Sequence, residues 1–214
     1  MIGYLTFVFL ITGLLMLAAR RVSRNIALLA AQSLVLTMIA FYLGLWGDDK
    51  VNWHMIVVGG LTLAIKVIVL PGLLYWLAER VVKYREVPLS IGLGPSMLIG
   101  VLLVGLTYSY VIPVLLKEVQ VGGQMFPVAL STIFLGCFFM ISRRSAFNQL
   151  IGIVMMENGL FLCAIAINGG MPLILELGIF FDLLVGVLVM GVFTHRIRGT
   201  FDTLDTKVLN KLKG

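Results

Sequence analysis

Seven apolar runs, at about 2–19, 26–46, 54–79, 89–113, 124–142, 146–168 and 172–195, divide this chain, with short polar connections between them. Each is as long as the roughly 17–25 residues a helix needs to cross a hydrocarbon layer of about 30 Å. Backbone polar groups cannot face lipid unpaired, so runs of this length must be helices, and no alternating pattern of about ten residues suggests a barrel. The expected fold class is therefore all-α, a polytopic membrane bundle of about seven transmembrane helices. Composition agrees: 60% of residues are hydrophobic and only 12% charged, well below the quarter usual in soluble domains.

The connections set an orientation. Arg20, Arg21 and Arg24, then Arg80, Lys83 and Arg85, then Arg143 and Arg144, and finally Arg196, Arg198, Lys207, Lys211 and Lys213 all fall on one side, with only Lys50 and Lys117 opposite. Basic residues collect in cytoplasmic loops, so the N-terminus is expected outside and the C-terminus in the cytoplasm. The net charge of +6 is then a topological signal and not a nucleic-acid surface. The first run, MIGYLTFVFLITGLLMLAA, lacks a basic leader and is followed by arginines, the reverse of a cleavable signal; it reads as a retained span. Cys137 and Cys163 fall within spans, in no ligand spacing, and read as small apolar residues.

Three ionisable residues stand apart from this pattern. Glu157 and Asp182 each lie near the middle of a long apolar run, joined through Asn168-Gly169-Gly170, and a rise of about 1.5 Å per residue puts both roughly 15 Å from a helix end. Two antiparallel neighbours would hold them at one depth. Lys66 lies mid-run in the third span, five residues before Pro71. A charge at bilayer depth is costly enough to mark a function by default, and low-dielectric surroundings disfavour the ionised carboxylate, so such an acid can carry a proton and exchange it when a lysine or water approaches. A close acid pair would titrate as a coupled unit. The structural alternative is a static ion pair or hydrogen bond that fixes helix packing, and it stays open for all three.

Asn148, Gln149 and Asn158 on the same segment suit bridging waters or inter-helix hydrogen bonds equally well. Glu176, about a turn into its helix, reads as a solvated interfacial acid, with a proton-exit role as the alternative; His195, at the cytoplasmic end of span seven beside Arg196, is a titratable interfacial residue. Pro71 and Pro95 are expected to interrupt spans three and four and Pro113 to end span four, while Ser96 with Gly100, and Gly59-Gly60, permit close helix approach. The loop from Leu43 to Trp53 reads as a polar turn between interfacial tryptophans, and the tail from Thr200 as either an amphipathic surface helix or a solvated terminus.

At NQLIGIVMMENGLFLCAI (148–165) and the Asp182 run, the chain resembles the small NuoK/MrpC-type subunits of respiratory complex I and of multisubunit cation/proton antiporters. That family's Leu-Ile-Gly-Leu-Glu-Ile-Met-Ile-Asn stretch lies over Leu150–Asn158, placing Val154 at the family's glutamate and Glu157 three residues on, nearly one helical turn away and on nearly the same face. Its Glu-Ala-Ser-Ile-Gly pattern lies over Asp182-Leu183-Leu184-Val185-Gly186, with Asp for Glu. Four additional spans and the Met155–Gly159 motif make the whole resemble component E of hydrogenase-4, a membrane subunit of group 4 nickel-iron hydrogenases and formate hydrogenlyases.

The resemblance implies three units: 1–123, a four-helix N-terminal extension; 124–199, a NuoK/MrpC-like three-helix module; and 200–214, a cytoplasmic tail. It implies a noncatalytic subunit of an oxidoreductase complex in the bacterial cytoplasmic membrane, relaying protons or other cations through Glu157, Asp182 and Lys66, with no cofactor or metal of its own. The implied partners are antiporter-like and hydrogenase-anchoring membrane chains and, through them, a peripheral nickel-iron hydrogenase. An antiporter subunit and a purely structural membrane scaffold are the alternatives. A self-contained transporter would carry paired broken helices or an internal repeat, and a membrane enzyme a cluster such as HExxH; His54 and His195 stand singly instead.

Overall fold

A computed structural model describes residues 1–47, 51–81, 91–115, 125–143 and 145–168, with positions 186 and 191. Among the described residues every regular element is helical. Helix α1 spans Ile2–Ala18, α2 Val22–Trp46, α3 Trp53–Thr62, α4 Leu70–Val81, α5 Leu93–Leu106, α6 Ile112–Leu115, α7 Met125–Ser142 and α8 Ala146–Asn168. Two π-helical segments, π1 (Leu63–Val69) and π2 (Thr107–Val111), join α3 to α4 and α5 to α6 without a break. Among the described residues five continuous helices are long and apolar enough to cross a membrane, and α1 is a shorter apolar helix of 17 residues. The chain is thus an all-helical bundle of membrane-spanning character. The expected seventh span is described only at positions 186 and 191, and Asp182, Glu176, His195 and the tail lie outside the described residues.

The prolines act differently from expectation. Pro95 sits at the third residue of α5, in the first turn, where a missing N–H is one of the unsatisfied set anyway. Pro113 does not end its span, because the helix runs on through Leu115. Pro71 and Pro113 each follow a π segment at the same spacing, and the residue before each bonds five positions back: Leu70 N–H donates to Ile65 O and Ile112 N–H to Thr107 O. A proline inside a helix removes one i→i−4 bond and crowds the carbonyl four residues earlier. A widened turn just upstream relieves that crowding while the helix continues.

Helices α7 and α8 form the most extensive contact in the bundle, and glycines explain it. A Cβ at Gly136 would lie 2.9 Å from Met156 N, and one at Gly159 3.0 Å from Ala129 O. The backbones are closer than a methyl group allows, as in small-residue membrane interfaces. Of the Gly59-Gly60 pair only Gly59 is packed, against Phe41; Gly60 faces open space. Ser96 and Gly100 are both buried, as their spacing suggests.

One core joins helices from both ends of the chain. Phe9, Met16 and Leu17 of α1 and Leu29 and Leu36 of α2 cluster with Leu135 and Phe139 of α7 and with Ile151 and Met155 of α8. Burial ranks the helices: 67% of the apolar window of α8 is buried against 17% of the α5–α6 span, so α8 is central and α5–α6 peripheral. Leu98, Val101, Leu102, Leu106 and Tyr110 are exposed on the peripheral span, the distribution expected where lipid is the solvent.

Arg143 lies in the connection after α7 but is not a free loop charge. It is buried, and its Nη2 donates to Leu17 O at 2.8 Å, Ala19 O at 3.3 Å and Met16 O at 3.4 Å. These carbonyls close the C-terminal turn of α1, where helical donors run out; Met16 O also accepts from Ala19 N–H, and a cation there meets the negative end of the helix dipole. The guanidinium stacks 4.9 Å from the Phe139 ring. Burial lowers its pKa to about 10, so it remains charged at neutral pH. At the opposite end Asn52 caps α3 by accepting from Met55 N–H, and Trp46 and Trp53 are exposed, in keeping with an interfacial turn.

Candidate functional site

Lys66 is the single buried residue of the seven in π1. Its side chain is 1% exposed and cannot reach water, so its charge must be answered inside the protein. The answer comes from α8. Lys66 Nζ lies 2.9 Å from Glu157 Oε1, donates to Asn158 Oδ1 at 3.2 Å and sits 5.4 Å from the centre of the Phe161 ring. The Glu157 contact is an ion-pair contact and not an aligned hydrogen bond, since neither carboxylate oxygen has a hydrogen-bond partner among the described residues; the directed bond goes to Asn158.

Asn158 carries the connection to a third helix. Its Nδ2 donates to Gln32 Oε1 at 3.2 Å and to Ser33 Oγ at 3.1 Å on α2. The chain of contacts therefore runs Glu157, Lys66, Asn158, then Gln32 and Ser33, across α8, π1 and α2. Because Asn158 accepts from an ammonium and donates to a carbonyl oxygen, its amide has one consistent orientation. Glu157 is eleven residues from either end of α8, about 16 Å by helical rise, so the cluster sits at mid-depth.

At 2.9 Å two unit charges attract by about 6 kcal/mol at an effective dielectric near 20. Removing both ions from water costs several kcal/mol each, so the pair contributes little net stability. Asn158 and Phe161 carry part of the ammonium's stabilisation, which leaves the carboxylate the less supported partner. A proton delivered to Glu157 would remove most of the Coulomb attraction while Asn158 still held Lys66.

The other sequence-selected residues divide cleanly. Asn148 is buried near the start of α8, with its Oδ1 unpartnered among the described residues. Gln149 is exposed and is not in the cluster. Asp182, Glu176 and His195 lie outside the described residues. Gln32 and Ser33 belong to the site as well, and their signal in the sequence is weak, one amide and one hydroxyl within an apolar run. Among the described residues no group of three or more His, Cys, Asp or Glu side chains is placed to hold a metal.

Fold and cluster together define a class: a membrane-type helix bundle with a buried lysine–glutamate pair at its centre. No family model matches the chain and no solved structure matches it. It is 32% identical over 193 residues to the "Uncharacterized protein Rv0085" of Mycobacterium tuberculosis (strain ATCC 25618 / H37Rv), across 88% of this chain and 84% of that protein. The chain belongs to the family of that protein.

Proposed function

We propose that the chain is a noncatalytic, proton-translocating subunit in the membrane arm of a hydrogenase or formate hydrogenlyase complex related to respiratory complex I. In this reading it crosses the bacterial cytoplasmic membrane seven times, with its N-terminus outside and its C-terminus in the cytoplasm. The observation that carries the proton-handling part is the Lys66–Glu157 contact of 2.9 Å at mid-depth. The resemblance of residues 148–165 and of the Asp182 run to NuoK/MrpC-type subunits supports the assignment to such a complex.

The chemistry follows from the asymmetry of support. Glu157 accepts a proton, its attraction for Lys66 drops, and the ammonium, held by Asn158 Oδ1, becomes a local positive charge that disfavours a second proton nearby. Release restores the ion pair. Asp182 is the proposed next acid in the relay, on the strength of the resemblance. Mass spectrometry of the gently solubilised assembly is the direct test of membership: co-purifying hydrogenase and antiporter-like chains are expected, and a chain isolated reproducibly without them would remove the complex from the account.

A structural scaffold is the second reading, and Asn158 is the observation in its favour. Its bonds to Lys66, Gln32 and Ser33 tie three helices whatever Glu157 does. A Glu157→Gln variant that assembles and still moves protons normally would select the scaffold.

A further inference from the structure

The two ends of the Asn158 amide meet opposite chemistry. On one side Lys66 Nζ, an ammonium that can only donate, reaches Oδ1 at 3.2 Å. On the other, Nδ2 donates to Gln32 Oε1 at 3.2 Å and to Ser33 Oγ at 3.1 Å. An amide nitrogen carries two hydrogens, so two adjacent residues of α2 take up its whole donor capacity. Gln32, Ser33 and Asn158 are all fully buried, which keeps bulk water from competing for these bonds.

An Asn158 amide turned end for end would present Nδ2 to the ammonium, donor against donor, and Oδ1 to Gln32 Oε1, acceptor against acceptor. Gln32 shows what the observed arrangement costs. Its Nε2 is buried without a hydrogen-bond partner among the described residues, and burying a donor unpaired is unfavourable. Rotating the Gln32 amide would exchange Nε2 and Oε1 in place, but would set Nε2 against Asn158 Nδ2. The glutamine therefore leaves one donor idle and keeps its oxygen on Asn158.

We propose that Gln32 and Ser33 are positioning residues for the Lys66–Glu157 pair, acting through Asn158: from α2 they hold its amide with the carbonyl oxygen towards the ammonium. Hydrogen bonds in a buried chain polarise one another, so the two bonds from Nδ2 also strengthen the one that Oδ1 accepts. The ammonium stays anchored while Glu157 gains and loses a proton, and α2 becomes part of a site otherwise built on α8 and π1. The role rests on the reading of Glu157 as a proton carrier, but its test reads coupling between residues and not transport.

The test is equilibrium unfolding of the full chain in mixed detergent micelles, with Gln32→Met made in the unsubstituted chain and in a Lys66→Met/Glu157→Gln background. In that background nothing charged demands one orientation of Asn158. Gln32→Met is expected to shift the unfolding equilibrium about 30-fold where the ammonium is present, because the loss reaches a bond to a charged group, and about fivefold in the neutral background. A residue that only ties helices together would give the same factor in both, and factors equal within about twofold overturn the proposal.

Ser33→Ala removes one acceptor and little volume, and repeats the comparison if Gln32→Met fails to fold; equal factors there overturn the proposal as well. Lys66→Met alone serves as the background if the double variant fails to fold. In an Asn158→Leu chain the dependence of the Gln32→Met loss on Lys66 should vanish, and its persistence would overturn the role given to Asn158. Additive losses would leave Glu157 free to be a carrier, and a Glu157 that carries no proton would leave the coupling intact, so the two readings fail separately.

Discussion

Removing Lys66 and Glu157 separately and together tests whether the two behave as one unit. Lys66→Met leaves the Glu157 carboxylate buried without its counter-charge and strips Asn158 Oδ1 of its donor. Breaking a buried pair from one side costs about 3–5 kcal/mol. Glu157→Gln is milder: the new amide oxygen can still accept from Nζ, and Asn158 and Phe161 keep the ammonium, which suggests a loss of about 2–3 kcal/mol. The double variant buries no charge at this position, and neutral replacement of a buried pair is often close to neutral in stability, so its loss should stay below about 2 kcal/mol. Additivity would give about 5–8 kcal/mol, so the expected coupling is about 3 kcal/mol or more. Equilibrium unfolding in mixed detergent micelles, followed by far-ultraviolet circular dichroism, measures all four corners. Additive losses within about 0.5 kcal/mol would refute the buried-pair geometry.

Two glycines in long helices should respond with opposite sign. Gly152→Ala drives a methyl against Met140 and to 3.2 Å from Gly136 O and should cost about 1–3 kcal/mol by overpacking, whereas Gly60→Ala meets open space and should gain about 0.5–1 kcal/mol of helix preference; thermal unfolding in detergent reads both. Arg143→Met abandons three α1 carbonyls while filling similar volume, and a charge-assisted cap of this kind is worth about 1.5–3 kcal/mol. Hydrogen exchange localises that loss, with faster exchange expected in α1 and in the helices it packs against, and unchanged exchange in α1 counting against the cap.

How far the sequence carried the structure depends on which forces are local. Run length and hydropathy determine that a segment must be a helix, so the described helices fall within a few residues of the apolar runs. The prolines misled because proline chemistry states only which bond is lost. Whether the helix kinks, starts or widens depends on its position: Pro95 lies in a first turn, while Pro71 and Pro113 follow π segments. Lys66 was conspicuous as a mid-run charge, but its partner lies 91 residues away and is set by packing. Gln32 and Ser33 escaped notice because a single amide or hydroxyl in an apolar run is common, and only the fold brings them to Asn158. Arg143 looked like one loop charge among many; its role depends on α1 ending beside α7, which no local pattern records.

We propose that Glu157 carries protons under the control of Lys66, and proton uptake or release by membrane vesicles bearing the proposed complex tests this. Glu157→Gln keeps the shape of the side chain and the Lys66 contact but removes the titrating group. Measured with a trapped pH dye during turnover, the variant complex is expected to assemble with its full set of subunits, to retain electron transfer, and to lose proton movement. Normal proton movement per turnover from the assembled Glu157→Gln complex would show that Glu157 is not the proton carrier.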